Sequence, residues 1–231
     1  MYEITILKTA HINCANNIIL KDGDRNTATM IGCHCFLLQN GNEKYLVDTG
    51  IEDIDTANKT KSSIDDWARF EDEYTVTDNL KLLGISPEEI DKVFLTHSHY
   101  DHISGVIHFE NAQVYMTETE YDFLCSESNR LQEHLADVKY FLLHNKPILV
   151  ENTYTVGDII LRKQGGHTSG SMSIECDGNL FVGDGVFTHE NIERKIPAGY
   201  TANREESDML LKILLNYKGK IITSHDFAEV V

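Results

Sequence analysis

The chain of 231 residues has room for one sizeable domain, and a single domain over residues 1–231 is expected. Lys and Arg number 20 against 37 Asp and Glu; the formal charge of −17 repels phosphate backbones and anionic lipid, which argues against nucleic acid or a membrane surface as partner. No run approaches the roughly 18 apolar residues of a membrane span, and Met1–Leu7 alternates in polarity without the basic start and apolar stretch of a signal peptide.

Bound cations would reverse that field locally, so a small-molecule substrate, even an anionic one, stays open. Cys14, Cys33, Cys35, Cys125 and Cys176 are odd in number and scattered, which excludes a disulfide scaffold and points to the cytoplasm. Only Cys33-His34-Cys35 clusters. On a strand its two thiols share one face, and buried small side chains are the preferred reading over metal ligands.

In chain order, strands are expected at 2–10, 31–39 and 44–48, the last two joined by Gln39-Asn40-Gly41-Asn42, a hairpin signal. Thr77-Asp78 opens a helix that Gly84 stops, and Ser86-Pro87-Glu88-Glu89 looks like another helix start. Residues 92–96 and 112–116 read as strands. Thr117 with Glu120 resembles a capping box for a helix through Cys125. Residues 129–144 carry a helical stripe of Leu131, Leu135, Val138, Phe141 and Leu142. Strands follow near 148–155, 158–163, 171–176 and 179–183, then a helix near 204–216 and a strand at 220–223. Two strand-rich halves with accompanying helices suggest two packed sheets with helices outside, an α/β layered sandwich.

Of eleven histidines, three fall in His97-Ser98-His99-Tyr100-Asp101-His102, between a strand and Ile103-Ser104-Gly105. His97 and His99, two positions apart in extended chain, point the same way and can bind one ion. The turn redirects Asp101 and His102 toward a second. Two ions need further ligands, and three stand at strand ends: His167 in Gly165-Gly166-His167-Thr168-Ser169-Gly170, Asp184 in Gly183-Asp184-Gly185, and His225 after Ile221-Ile222-Thr223-Ser224. In a layered α/β fold such ends can gather at one rim. His11, His34, His108, His134, His144 and His189 read as structural or exposed.

These motifs resemble the metallo-β-lactamase superfold. The likeness runs in family order through Leu46-Val47-Asp48-Thr49-Gly50, Thr96–Gly105, Gly166–Ser171, Gly183-Asp184 and Ser224-His225. It implies a four-layer αββα sandwich, two mixed sheets with helices on the outer faces, and a dinuclear site at one edge. One metal would take His97, His99 and His167 and the other Asp101, His102 and His225, with Asp184 bridging and Asp48 orienting a ligand. Flavodiiron proteins carry an acidic residue at His99, and B1 β-lactamases use a cysteine ligand and lack the bridging aspartate. Glyoxalase II-type thioesterases share the ligands but usually continue into a helical region, for which six residues after His225 leave no room. Asp184–Glu193 and Ser224-His225-Asp226 are most similar to the quorum-quenching N-acyl homoserine lactone lactonases. Those enzymes place a substrate-contacting tyrosine where this chain has Phe187.

The resemblance implies a hydrolase holding two metal ions, zinc first and iron or manganese as alternatives, that opens an ester-like bond such as a lactone. A water between two cations loses its proton near neutral pH and attacks the carbonyl, while the metals stabilise the oxyanion and the leaving alkoxide. Asp101 or Asp184 would carry the proton to that alkoxide, and Tyr200 would offer the hydroxyl that Phe187 lacks. A glyoxalase II-type thioesterase, a phosphodiesterase and a metal-binding domain without turnover are the alternatives.

Overall fold

The computed structural model describes residues 1–59, 68–71, 74–126 and 135–226. Alternating polarity and β-branched runs give seven strands of a first sheet: β1 (Glu3–Ala15), β2 (Ala28–Asn40), β3 (Glu43–Val47), β4 (Ala68–Glu71), β5 (Lys92–Phe94), β6 (Gln113–Thr117) and β7 (Ile148–Val150). Their order is β4-β1-β2-β3-β5-β6-β7, antiparallel as far as β3 and parallel beyond it. The second sheet holds β8 (Thr153–Val156), β9 (Ile159–Lys163), β10 (Met172–Cys176), β11 (Asn179–Phe181) and β12 (Lys220–Ile222). Its order is β12-β11-β10-β9-β8, with only the β11–β12 pair parallel.

The helices are α1 (Asn16–Ile19), α2 (Ile54–Lys59), α3 (Val76–Leu82), α4 (Tyr100–Ile103), α5 (Glu118–Cys125), α6 (Ala136–Asn145), α7 (His189–Arg194) and α8 (Arg204–Leu214). Phe36, Leu38, Val47, Phe94 and Tyr115 of the first sheet meet Ile159, Leu161, Ile174, Phe181 and Ile222 of the second in one apolar layer. The first sheet's other face, with Leu37, Leu46 and Val93, packs on Leu80, Leu124, Val138 and Leu142 from α3, α5 and α6. α8 covers the second sheet through Leu210, Leu211 and Leu214 against Leu180 and Val182. Helix, sheet, sheet, helix is the expected four-layer order. No helix among the described residues is long and apolar enough to cross a membrane.

Several boundaries depart from the sequence pattern. The stretch 148–155 is two strands, because the chain bends at Glu151-Asn152 and passes from the first sheet to the second. Apolar patterning marks burial but not which sheet a strand joins. β1 runs on to Ala15, past a bulge between Lys8 and Ala10, because β2 and β4 flank it there. Ser86–Glu89 opens only a single 3-10 turn at Pro87–Glu89. The helix before Gly84 begins at Val76, since Thr75 Oγ1 accepts the Asp78 amide proton at 3.1 Å. Residues 129–134, with Leu131 and His134, lie outside the described residues.

Candidate metal centre

The topology sends strand ends to one edge. β3 delivers Asp48, β5 the segment Thr96–His102, β11 Asp184 and β12 His225, all at carboxyl ends. The β9–β10 connection adds His167. The sheets join beneath the site where Met172 N–H donates to Thr96 O at 2.8 Å. Gly183, at φ 50°, lets the end of β11 approach Thr96 as well: a Cβ there would lie 2.7 Å from Thr96 Oγ1. The loop bearing His167 is held by α8, with Glu206 Oε2 accepting the Gly166 amide at 2.8 Å and Asn203 N–H donating to Gly166 O at 2.9 Å.

The structure brings all seven sequence-selected ligand-type residues together. His97 Nε2 and His167 Nε2 lie 3.0 and 2.9 Å from His99 Nδ1, and 3.8 and 3.3 Å from Asp184 Oδ2. Asp184 Oδ1 lies 3.1 Å from His102 Nε2 and 2.9 Å from His225 Nε2, which stand 3.7 and 3.9 Å from Asp101 Oδ2. The carboxylate of Asp184 therefore gives one oxygen to each cluster.

The outer ring nitrogens explain how the inner ones point. His102 Nδ1–H donates to Asp48 Oδ2 at 2.8 Å and His225 Nδ1–H to Gly32 O at 2.7 Å. His97 Nδ1 meets Thr96 Oγ1 at 3.1 Å, and that hydroxyl donates onward to Asp48 Oδ2 at 2.8 Å. A proton fixed on the outer nitrogen leaves the inner one with a lone pair. Nε2 of His102, Nε2 of His225 and Oδ1 of Asp184 are buried without a hydrogen-bond partner.

Such a donor set fits cations. A tetrahedral ion with bonds of about 2.0–2.1 Å separates its ligands by about 3.4 Å, within the span of the distances above. Burial alone would raise the Asp184 carboxyl, but His225, His102 and His167 hold it well below the usual carboxylate range. Burial, with positive neighbours, pushes His97 well down and takes His167 to about 3. At His102 and His225 burial also disfavours the proton, yet the carboxylates, Asp184 foremost, raise both. Buried carboxylates among lone pairs leave negative charge that protons or metal ions must balance.

Phe187 and Tyr200 both reach the site. The Phe187 ring stacks on His225 at 5.4 Å and meets His167 edge-on at 5.6 Å, while also packing with Ile19, Leu20, Ile31 and Ala198. Tyr200, partly exposed, has its ring 5.5 Å from His167 and 6.2 Å from His99.

Glu120 was expected to complete a capping box. Thr117 Oγ1 does accept the Glu120 amide at 3.3 Å, but the carboxylate turns away from the helix end. It accepts from Ser98 N–H at 2.9 Å, from Ser98 Oγ–H at 2.5 Å and from Gly170 N–H at 3.0 Å, tying the His97–His99 turn to the His167 loop. Nothing local in the sequence signals this role. Of the histidines read as structural, His34 is buried with Nε2 2.8 Å from Asp226 O, His108 pairs with Glu52 and His189 with Asp226.

The sequence pattern of the metallo-beta-lactamase superfamily matches residues 28–225. The chain belongs to that superfamily. It is 29% identical over 154 residues to a probable metallo-hydrolase of Methanocaldococcus jannaschii, covering 67% of this chain and 66% of that protein. To an N-acyl homoserine lactonase of a Bacillus species it is 26% identical over 209 residues, covering 84% and 81%. A solved N-acyl homoserine lactone hydrolase, with the product N-hexanoyl-L-homoserine bound at its catalytic metal center, superposes with a TM-score of 0.81. That match covers 97% of this chain and 93% of the other at 20% identity, and it shows a shared metallo-beta-lactamase fold.

Proposed function

We propose that this superfamily member is a dinuclear hydrolase that opens an ester-like bond, a lactone such as an N-acyl homoserine lactone first among them. The observation that carries the dinuclear reading is Asp184, whose two oxygens face separate imidazole clusters 2.9–3.8 Å away. His97, His99 and His167 would hold one ion and Asp101, His102 and His225 the other. Zinc suits these nitrogen and oxygen donors best, with iron or manganese as alternatives. When bound, the ions supply an acidified water and a Lewis acid for the carbonyl oxygen.

The chain's own groups do the rest. Asp101 is the more exposed of the two carboxylates, at 13% against 5%. Its Oδ2, or the adjacent Asp184, carries a proton from the attacking water to the leaving alkoxide. Phe187 presents no donor, and Tyr200, whose ring lies beside those of His99 and His167, is the residue we assign to meet a substrate oxygen. A charge of −17 disfavours polyanions, and five cysteines without a disulfide among them suit the cytoplasm.

Two measurements test this reading. Elemental analysis of the fully loaded protein should give two metals per chain, with Asp184→Ala losing at least one; a single tightly held metal in the wild type contradicts it. Turnover of lactone, thioester, phosphodiester and β-lactam panels by zinc-loaded protein should rank lactones first. A phosphodiester or thioester in first place moves the assignment to that chemistry on the same ions.

A further inference from the structure

A thiol lies against the second cluster. Cys33, on β2, is fully buried, and its Sγ stands 3.3 Å from the main-chain oxygen of Asp101 and 4.0 Å from Asp101 Oδ2. Ligand atoms of Cys33, Asp101 and His225 all lie within 4.8 Å of one another. Cys35, on the same strand face, instead sets its thiol 3.9 Å from Leu7 O, away from the cluster. A second, independent feature marks the same space: His225 Nε2 is buried, has no hydrogen-bond partner and lies within 4.8 Å of the Cys33 and Asp101 ligand atoms.

We propose that Cys33 Sγ is a further metal ligand in the Asp101–His102–His225 cluster, a soft donor in an otherwise nitrogen and oxygen set. The inference rests on the dinuclear reading above. A tetrahedral ion with bonds of about 2.3 Å to sulfur and about 2.1 Å to oxygen separates the two by about 3.6 Å. The observed 4.0 Å lies about 0.4 Å beyond that, a gap that a side-chain adjustment closes. On binding, the S–H proton leaves to solvent and a sulfur–metal bond forms, with no change of oxidation state. A thiolate biases this position toward zinc or cobalt and against manganese.

The test is cobalt substitution. Cobalt(II)-loaded wild type should show a near-ultraviolet thiolate-to-cobalt charge-transfer band beside its visible ligand-field bands. Cys33→Ser should lose that band and Cys35→Ser should keep it. Cys33→Ser should also weaken retention of one ion by about tenfold or more and shift the zinc-over-manganese preference toward manganese. Two bound cobalt ions with no charge-transfer band in the wild type overturn the inference while leaving the dinuclear reading intact, and so does a band that survives in Cys33→Ser. Failure to take up any cobalt overturns both. The wild-type spectrum decides even if Cys33→Ser does not fold.

Discussion

Asp48 accepts the outer ring proton of His102 at 2.8 Å from a backbone held in the left-handed region, φ 58°. The same buried carboxylate also takes the Thr96 amide at 2.7 Å and the Thr96 hydroxyl at 2.8 Å, and that hydroxyl meets His97. One aspartate thus orients an imidazole in each cluster, directly at His102 and through Thr96 at His97. Asp48→Asn tolerates the left-handed backbone but cannot accept all three protons. It should weaken metal retention by about 10–100-fold while the protein stays folded. Metal remaining after dialysis against graded chelator checks this. Asp48→Ala should lose more, because the backbone strain then adds to the unpaired donors.

Glu120 is expected to act on the loops that carry the ligands. Glu120→Ala removes the carboxylate that accepts from Ser98 N–H, Ser98 Oγ–H and Gly170 N–H. Each buried group left unsatisfied costs about 1–3 kcal/mol, and partial rescue by water brings the expected loss to about 3 kcal/mol. Glu120→Gln, which keeps one acceptor, should lose less. Urea unfolding of both variants measures the difference, and equal stability to wild type would show that the carboxylate is dispensable.

These two carboxylates show where the sequence was informative. Asp48 ends the apolar run of Leu46-Val47-Asp48-Thr49-Gly50, but its orienting role was legible only through the family resemblance. His97, His99, Asp101 and His102 were visible by density, and Asp184 and His225 by their place at strand ends. Glu120 was not, since its partners lie 22 and 50 residues away and its local setting offered a sufficient capping role. Cys33 reads as a buried small side chain in the sequence for the same reason: only the fold brings Asp101, 68 residues on, against its sulfur. The passage from one sheet to the other at Glu151-Asn152 stayed hidden because strands of either sheet carry the same alternation.

His34 makes stability depend on pH. Burial, helped by the neighbouring charges of His225 and Lys8, lowers its pKa from 6.5 to about 4, although the Asp226 carbonyl opposes this. The unfolded chain therefore takes a proton on this ring at higher pH than the folded one does. Its stabilising contribution is fully present above pH 6.5, falls as pH drops through the interval to about 4, and levels off below. The drop amounts to at most about 3 kcal/mol. Subtracting the stability curve of His34→Gln from that of wild type, at matched metal content, should reveal this slope. A difference that is flat across the interval would contradict it.

The family resemblance implies that Phe187 takes the place of a tyrosine in the lactonases, and the structure gives its ring two settings at once. One side stacks on His225 and meets His167, and the rest packs with Ile19, Ile31 and Ala198. A hydroxyl added by Phe187→Tyr would lie beside the site if the ring edge faces the cleft and within apolar packing if it does not. A native donor used only in the transition state is worth roughly 2.7–4 kcal/mol, and a grafted one delivers less. We expect a gain of about tenfold in lactone kcat/KM, or roughly 1.4 kcal/mol. Phe187→Leu should retain both metals, because His225 Nδ1 is held by the Gly32 carbonyl at 2.7 Å and does not need the stack. A buried hydroxyl without a partner would instead lower the melting temperature and add nothing to the rate. Kinetics and thermal melts on the two variants separate these outcomes, and a less stable Phe187→Tyr with unchanged kcat/KM would assign Phe187 to packing alone.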